Sequence, residues 1–407
     1  MLNRRTLLLS AATIPATVAA FAAPAPRHPA PPAKRAAKPP ADPSASGTPA
    51  NTPLGPIDTV ARYAVILDYN TGATLLDKDA DVAMTPSSMT KLMTAYIVYS
   101  RLKAGRLKLD QELPVSEKAW RMGGSKMFVR VDTSVRVEDL IRGMIVDSGN
   151  DACIVLAEGI AGSEEQFVEL MNQQAKTFGL QHSHFVNVTG WPDPGHVMSV
   201  RDIAIVASRL VRDFPDYYKY DSEKTFKYNN IEQQNRNTLV QKGVADGMKT
   251  GHTDAGGYGL VASANRNGRR VVVVLNGMTT MRQRGEEGER LLDWAFREFE
   301  DVTLFSAGDT VENAPVWLGA SPTVPLVGGR DVVVTMPRNW RDKAKVEVAY
   351  DSPIKAPVVR GTALGRLIVS GGGVPQLDLP LLAGADVARM GLAGRAVAVL
   401  EHYVSKR

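Results

Sequence analysis

The chain has 407 residues, of which 22% are charged and 44% hydrophobic, enough for two or three soluble domains with cores of their own. A net charge of +5 with no concentrated basic stripe gives no reason to expect a nucleic-acid partner. The single cysteine, Cys153, excludes an intramolecular disulfide and a multi-cysteine metal site, and the six histidines show no metal-ligand spacing, so no metal or other cofactor is expected.

Residues 1–22 read as a signal peptide, with Arg4 and Arg5, an apolar run from Leu7 to Phe21, and a cleavage site at Ala20-Phe21-Ala22. That run is shorter than the roughly 20 residues a membrane span needs. Asn3-Arg4-Arg5-Thr6-Leu7-Leu8 fits either a twin-arginine or an ordinary secretory signal, and both imply export. Residues 23–56, rich in Pro, Ala and Ser, read as a disordered linker.

Tyr63 to Asp68 and Ala73 to Leu76 are apolar runs on either side of Asn70-Thr71-Gly72, the pattern of a β-hairpin. Met89, Leu92, Met93, Tyr96 and Ile97 then recur at helical spacing, with Gly105 as a stop. At the start of that helix, Pro86-Ser87-Ser88-Met89-Thr90-Lys91 places a hydroxyl and an amine on one face, one turn apart. An amine among Thr90, Leu92 and Met93 is poorly solvated, which lowers its pKa, and a neutral lysine can take the proton of a serine. The same residues also fit a first-turn serine beside a lysine that reaches out to solvent.

Val137 to Val146 reads as a helix that breaks at Asp147-Ser148-Gly149-Asn150, before a second apolar helix from Asp151 in which Cys153 packs. The glycine would allow a tight turn that aims Ser148 and Asn150 into a cavity. The plainer alternative is a helix connection capped by Asn150 or Asp151. Ser163-Glu164-Glu165-Gln166 is a capping box for a helix that reaches Gly179.

Gly247 to Thr253, Tyr258 to Ala264 and Val271 to Leu275, separated by glycine-rich turns, read as three antiparallel strands. Lys249 and Thr250 on an edge strand would offer a cation and a hydroxyl to a carboxylate; an exposed lysine guarding that edge against aggregation is the alternative. Arg284 precedes a last helix expected from Glu286 to Phe299. Residues 303–383 carry short alternating runs, such as Val346 to Tyr350, and read as a small all-β domain. In residues 384–407, Val387, Met390, Val397, Leu400 and Val404 fall near one helical face among Arg389, Arg395 and Lys406. Such a helix could lie in a membrane interface or dock on its own domain.

Ser88-x-x-Lys91, Ser148-Gly149-Asn150 and Lys249-Thr250-Gly251 occur in that order, each at a structural break. This set, with Pro86 to Thr94, Ser148 to Cys153 and Lys249 to Tyr258 around it, resembles the D-alanyl-D-alanine carboxypeptidases, the low-molecular-mass penicillin-binding proteins of the β-lactamase-like fold. The resemblance implies a multidomain α+β chain. A serine D,D-peptidase domain over residues 57–302 would have an antiparallel sheet, helices on both faces and a helical subdomain. An all-β sandwich domain over 303–383 and a C-terminal helix over 384–407 would follow.

The resemblance also implies roles. Ser88 would attack the carbonyl between two D-alanines of a peptidoglycan stem peptide, with Lys91 as general base. Ser148 would relay a proton to the leaving amine, Asn150 would bond the substrate amide, and Lys249 would stay charged beside them. Thr250, Gly251 and Arg284 would line the carboxylate subsite, and the N–H groups of Ser88 and His252 would form the oxyanion hole. β-Lactams would acylate Ser88 as covalent inhibitors. The enzyme would sit in the periplasm, its last helix on the inner membrane. The competing readings are a D,D-endopeptidase, a β-lactamase and a non-catalytic wall-binding scaffold. Against the lactamase, the chain has no Glu-x-x-Leu-Asn between the second and third motifs; Glu169-Leu170-Met171-Asn172 has the wrong spacing. Against the scaffold, a binding module needs no activated nucleophile.

Overall fold

The computed structural model describes residues 48–340, 344–371 and 376–397. The expected signal peptide, most of the expected linker and residues 398–407 of the expected terminal helix lie outside the described residues.

The hairpin consists of β1 (Tyr63–Asp68) and β2 (Thr74–Lys78). Its turn is closed by Asp68 Oδ1, which accepts from Asn70 N, Thr71 N and Thr71 Oγ1. A single 3-10 turn, Ser87–Thr90, then runs straight into α1 (Lys91–Lys103). Ser88 therefore precedes the α-helix instead of lying inside it. The change matters because residues i and i+3 eclipse in 3-10 geometry, which stacks Ser88 directly over Lys91.

The helical part contains β3 (Glu112–Pro114), α2 (Glu117–Arg121), β4 (Ser134–Arg136), α3 (Val137–Ile145), α4 (Asn150–Ala161) and α5 (Glu164–Phe178). Ser163 caps α5 by accepting from Gln166 N at 3.2 Å, as its capping box predicts. After α6 (Val200–Asp213) come α7 (Pro215–Tyr218), a second 3-10 turn (Lys219–Ser222), the ribbon β5 (Thr225–Tyr228) and β6 (Ile231–Gln234), and α8 (Thr238–Lys242).

Three long strands follow, β7 (Gly247–Thr253), β8 (Gly257–Arg266) and β9 (Arg269–Met278), as the apolar runs predict. With the hairpin they make an antiparallel sheet of order β2-β1-β9-β8-β7, so β7 is an edge. Alternate side chains divide between two cores. Tyr63, Val65, Val272 and Val274 join α1, α3, α4 and α6 on one face. Ala64, Ile66, Val271, Val273 and Leu275 face the other way. There they meet Leu291, Leu292 and Ala295 of α9 (Met281–Glu298). Burial on both faces is why β9 reads as a continuous valine run instead of an alternating one.

Helix α9 begins five residues ahead of its expected start, at Met281, with Thr280 Oγ1 accepting from Gln283 N at 3.1 Å. The extra turn, Met281-Arg282-Gln283-Arg284-Gly285, carries no apolar periodicity, so only the cap marks it. Arg284 is thus a helix residue and not part of a preceding loop.

β10 (Phe299–Phe305) starts directly after α9, ahead of the expected boundary at 303. It pairs with β13 (Val332–Pro337) after β11 (Thr310–Trp317) and β12 (Thr323–Gly328). The rest are β14 (Ala344–Tyr350), β15 (Ile354–Lys355), β16 (Ala363–Gly371) and β17 (Leu377–Ala383), giving a second sheet of order β14-β16-β17-β12-β11-β15. Arg269 links this part to the first. Its Nε lies 2.8 Å from Asp68 Oδ2 and 3.4 Å from Asp301 Oδ1, and its Nη1 donates to the carbonyls of Ala295 and Phe299.

The helix expected over 384–407 is corrected at its start. Val387 N and O bond Val358 in extended geometry, and its side chain is buried in the β core. Helical conformation begins only at residue 392. A β-branched residue that completes a sheet core reads like one helix-face position when only spacing is counted.

Leu292 is fully buried between α9 and the sheet. Leu292→Ala should therefore lower unfolding free energy by about 2–5 kcal/mol in a denaturant titration. A loss under about 1 kcal/mol would mean the two layers are not packed as described.

Candidate active site

Lys91 has no solvent-exposed surface. Its Nζ lies 2.8 Å from Ser88 Oγ, 2.7 Å from Asn150 Oδ1 and 2.7 Å from the Thr189 carbonyl. Ser88, by contrast, is partly exposed. A buried amine met by three neutral oxygens is hydrogen-bonded but has no counter-charge within bonding reach. Burial pulls its pKa down to about 8; Cys153 and Asp151 oppose that shift and Arg236 adds to it.

The Ser148-Gly149-Asn150 turn brings the second motif to this amine. The left-handed backbone falls on Ser148 (φ 59°), not on Gly149 (φ −59°) as the glycine had suggested. A serine held there is strained, and such strain persists only where surrounding bonds impose it. The turn itself is held by Gly149 N donating to the Gly143 carbonyl at 2.8 Å and Asn150 N to the Ser125 carbonyl at 2.7 Å, while the Asp151 carboxylate next to it accepts from Met127 N, Phe128 N and Val129 N at 2.9, 2.9 and 3.1 Å. Neither Asn150 nor Asp151 caps α4 from the Ncap position, which Gly149 occupies. Asn150 instead spends Oδ1 on Lys91 and Nδ2 on the Gly123 carbonyl. Ser148 Oγ is buried with no hydrogen-bond partner among the described residues. Cys153, also buried, has its thiol pushed up to about 12 by burial, which leaves it a packing residue.

Strand β7 brings the third motif. Its Gly251 packs onto the turn of the nucleophile: a Cβ there would come within 2.0 Å of Ser87 Oγ. Lys249 and Thr250 are both buried. The only bond of Lys249 Nζ among the described residues is a long one, 3.3 Å to the Thr250 carbonyl. Lys249, expected to stay charged, sits where burial disfavours its charged form. Burial, then the cations Lys91 and Arg236, hold its pKa well below the usual ammonium value. Among the described residues no carboxylate hydrogen-bonds or ion-pairs with it to offset that burial.

A cavity of about 310 Å³ joins these elements, lined by Ser88, Asn150 and His252 together with Gly124, Thr189 and Trp191. His252 is exposed, and its ring lies 4.0 Å from that of Tyr258. Arg284 does not line the cavity. It is buried one layer behind, its Nη2 donating to the Arg236 carbonyl at 2.9 Å and its guanidinium 5.8 Å from the Tyr258 ring.

Three contributors carry no motif in the sequence. Thr189 and Trp191 lie in the segment between α5 and α6, where Asn187 Oδ1 gathers the N–H groups of Thr189, Gly190 and Trp191. Gly190 is left-handed (φ +83°), and a Cβ on it would reach within 1.7 Å of the Ser87 carbonyl. The cluster Asn187 to Gly195, with its glycines and prolines, signalled an ordered turn but not its neighbour. Arg236, whose charge bears on Lys91 and Lys249, follows β6 with no sequence pattern to mark it.

Residues 49–279 match the family described as D-alanyl-D-alanine carboxypeptidase, and residues 299–389 match that described as penicillin-binding protein 5, C-terminal domain. The chain is 39% identical over 349 residues to D-alanyl-D-alanine carboxypeptidase DacA of Haemophilus influenzae, covering 84% of this chain and 87% of that one. Among solved structures, penicillin-binding protein 5 from Haemophilus influenzae superimposes with a TM-score of 0.74 at 37% identity, over 81% of this chain and 98% of that chain. Penicillin-binding protein D2 from Listeria monocytogenes, in an ampicillin-bound form, aligns with a TM-score of 0.54 at 28% identity, over 59% of this chain and 98% of that chain.

If neutral Lys91 is the base, its active fraction grows as pH rises toward about 8. The second-order rate of acylation by a penicillin should then climb about tenfold per pH unit below that value and level off near it, with an apparent pKa shared by the two lysines. A rate flat from about pH 6 to 9 would exclude a titrating amine as the base.

Proposed function

The chain belongs to the D-alanyl-D-alanine carboxypeptidase family, and we propose that Ser88 and Lys91 carry the family's reaction in it. The protein is a serine-type D-Ala-D-Ala carboxypeptidase. The observation that supports these residue roles is Lys91 Nζ, cut off from solvent and 2.8 Å from Ser88 Oγ.

The neutral amine takes the hydroxyl proton as Ser88 Oγ attacks the carbonyl carbon between the two D-alanines of the stem pentapeptide. Negative charge gathers on the carbonyl oxygen, toward the backbone N–H groups of Ser88 and His252. The C–N bond then breaks. Ser148, whose buried hydroxyl has no competing partner among the described residues, passes a proton to the departing D-alanine amine. Asn150, locked by Lys91 and the Gly123 carbonyl, keeps one Nδ2 proton for the substrate amide. Lys249, Thr250 and the adjoining Gly251 receive the terminal carboxylate, with Arg284 adding positive charge from behind Tyr258. Water hydrolyses the Ser88 ester and restores the enzyme. β-Lactams, whose strained amide mimics the scissile bond, acylate the same serine, a reading supported by the ampicillin-bound Listeria relative.

A peptidoglycan substrate lies outside the cytoplasm, and the expected signal peptide fits a periplasmic enzyme. Leu392 and Val397, 80% and 57% exposed beside Arg395, suit contact with the inner-membrane surface.

Incubation with a fluorescent penicillin should give a long-lived adduct on the wild type and none on Ser88→Ala, and a D-Ala-D-Ala pentapeptide should release free D-alanine. No adduct on the wild type would sink the acyl-enzyme mechanism. Rapid penicillin turnover would indicate a lactamase, and an adduct without D-alanine release an endopeptidase. Removing residues 392–407 spares the buried Val387, so the shortened protein should fold and leave the membrane fraction. If it stays there, the tail is not the anchor.

A further inference from the structure

Behind the edge strand β7 lies a buried carboxyl that the mechanism does not use. Asp221, in the 3-10 turn Lys219–Ser222, is 1% exposed, and among the described residues no side chain or other segment hydrogen-bonds either of its oxygens, only its own backbone N–H bearing on the carboxyl as a donor. A fully buried and unpartnered carboxyl is costly, and such groups are rare without a cause. The other acid nearby is already engaged, because Asp246 holds Arg270 through both oxygens and accepts from Tyr218 Oη.

The strand geometry shows what Asp221 faces. Side chains two apart on a strand share one face, so Lys249 and Gly251 point the same way, and Gly247 is placed by what surrounds it. A Cβ on Gly247 would lie 3.2 Å from Asp221 Cβ and 2.5 Å from Tyr218 Oη. A Cβ on Gly251 would meet Ser87, beside the nucleophile. Lys249 leaves β7 between those two points. Lys249 therefore stands between the Asp221 pocket and the Ser88 turn, its charge bears on Asp221, and a lysine can span the roughly 7 Å between alternate residues.

Charge supplies the reason for the arrangement. The groups that bear on Lys249 from other elements are Lys91, Arg236, Arg284 and Cys153, and among the described residues no bonded carboxylate offsets the three cations. Those that bear on Asp221 are Asp246 and Lys249, while the buried hydroxyls of Tyr99 and Tyr218 feel its charge in turn. Asp147, the other buried acid within the influence of Lys249, is also under Arg236. Alone in that pocket, burial favours a protonated Asp221 and an uncharged Lys249; together, each ionised form favours the other.

We propose that Asp221 is a positioning residue for this reaction: facing Lys249 from behind β7, its carboxylate is the counter-charge that lets Lys249 be an ammonium ion when the substrate's terminal carboxylate is bound. The inference rests on the carboxylate-binding role given to Lys249 above. The substrate anion and Asp221 then flank one cation, and the affinity of the site for that anion depends on a residue that never touches it.

The test is the pH dependence of steady-state kinetics on a D-Ala-D-Ala-terminated peptide, for the wild type, Asp221→Asn and Lys249→Gln. Asp221→Asn keeps the shape and removes the charge. It should raise KM about tenfold near pH 8 with kcat within about twofold, and move the alkaline limb of kcat/KM to lower pH by about one unit, since a unit of pKa is a tenfold change in charged fraction. A change in thermal stability with KM and the limb unmoved would make Asp221 merely structural and overturn the proposal. If Lys249→Gln raises KM while Asp221→Asn does not, Lys249 keeps its role and only the Asp221 inference falls. If Lys249→Gln leaves KM at the wild-type value, the reading of Lys249 fails and the inference goes with it. Should Asp221→Asn not fold, the carboxyl carbon signal of Asp221 in the wild-type β-lactam adduct decides: an ionised carboxylate near pH 7 supports the proposal, and a protonated one overturns it.

Discussion

One amine nitrogen without access to water holds this site together. Each of the three acceptors around Lys91 Nζ comes from a different part of the chain: Ser88 in the 3-10 turn, Asn150 at the start of α4, and the Thr189 carbonyl in the segment before α6. An ionised amine taken out of water costs several kcal/mol unless it is bonded all round. The fold gains its full compensation only when all three segments are seated, so the burial that makes Lys91 a base also ties down the elements that make the cavity. Its oxygens are all neutral, and this leaves the proton weakly held. A carboxylate in place of Asn150 would have fixed the lysine as a permanent cation.

The rest of the site follows the same electrostatic logic. Lys91, Lys249, Arg236 and Arg284 crowd one region, and among the described residues none of them has a direct carboxylate partner. Elsewhere the chain pairs its cations normally, as Arg269 does with Asp68 and Asp301, and Arg270 with Asp246. The contrast separates structural charge from functional charge. Paired arginines join the sheet to the β-rich part, while the unpaired cluster leaves positive potential for an anion to satisfy. Asp147, pushed up to about 7 by burial, and Asp221 set the other side of that balance from beneath the site.

Rigidity comes from the sheet. β7 has one free edge, yet it is held by β8 and pressed against the nucleophile's turn at Gly251, with Gly190 meeting the same turn from the other side. Two glycines at close approach let three backbones converge on Ser87-Ser88, so the nucleophile is positioned by main chain and its placement does not depend on flexible side chains.

Much of this protein could be read from residues alone. The hairpin at Asn70-Thr71-Gly72, the apolar helix after Ser88, the capping box at Ser163 and the three strands after Gly247 are local patterns, and each formed where its pattern lay. The three motifs were legible for the same reason, since each packs its chemistry into a few adjacent residues. Other features were set by contacts between distant segments. Spacing alone could not place Ser88 in a 3-10 turn, give the strained backbone to Ser148 instead of Gly149, start α9 at a lone threonine cap, or put Val387 in a β core. Thr189, Arg236 and Asp221 lie in short polar connections whose residues carry no period. The sequence by itself determined which chemical groups the enzyme has and which helices and strands carry them, because propensity and periodicity act between near neighbours. Which of those groups lose water and which charges face one another followed from the packing of distant segments, because desolvation and Coulomb energy depend on what packs nearby and not on distance along the chain.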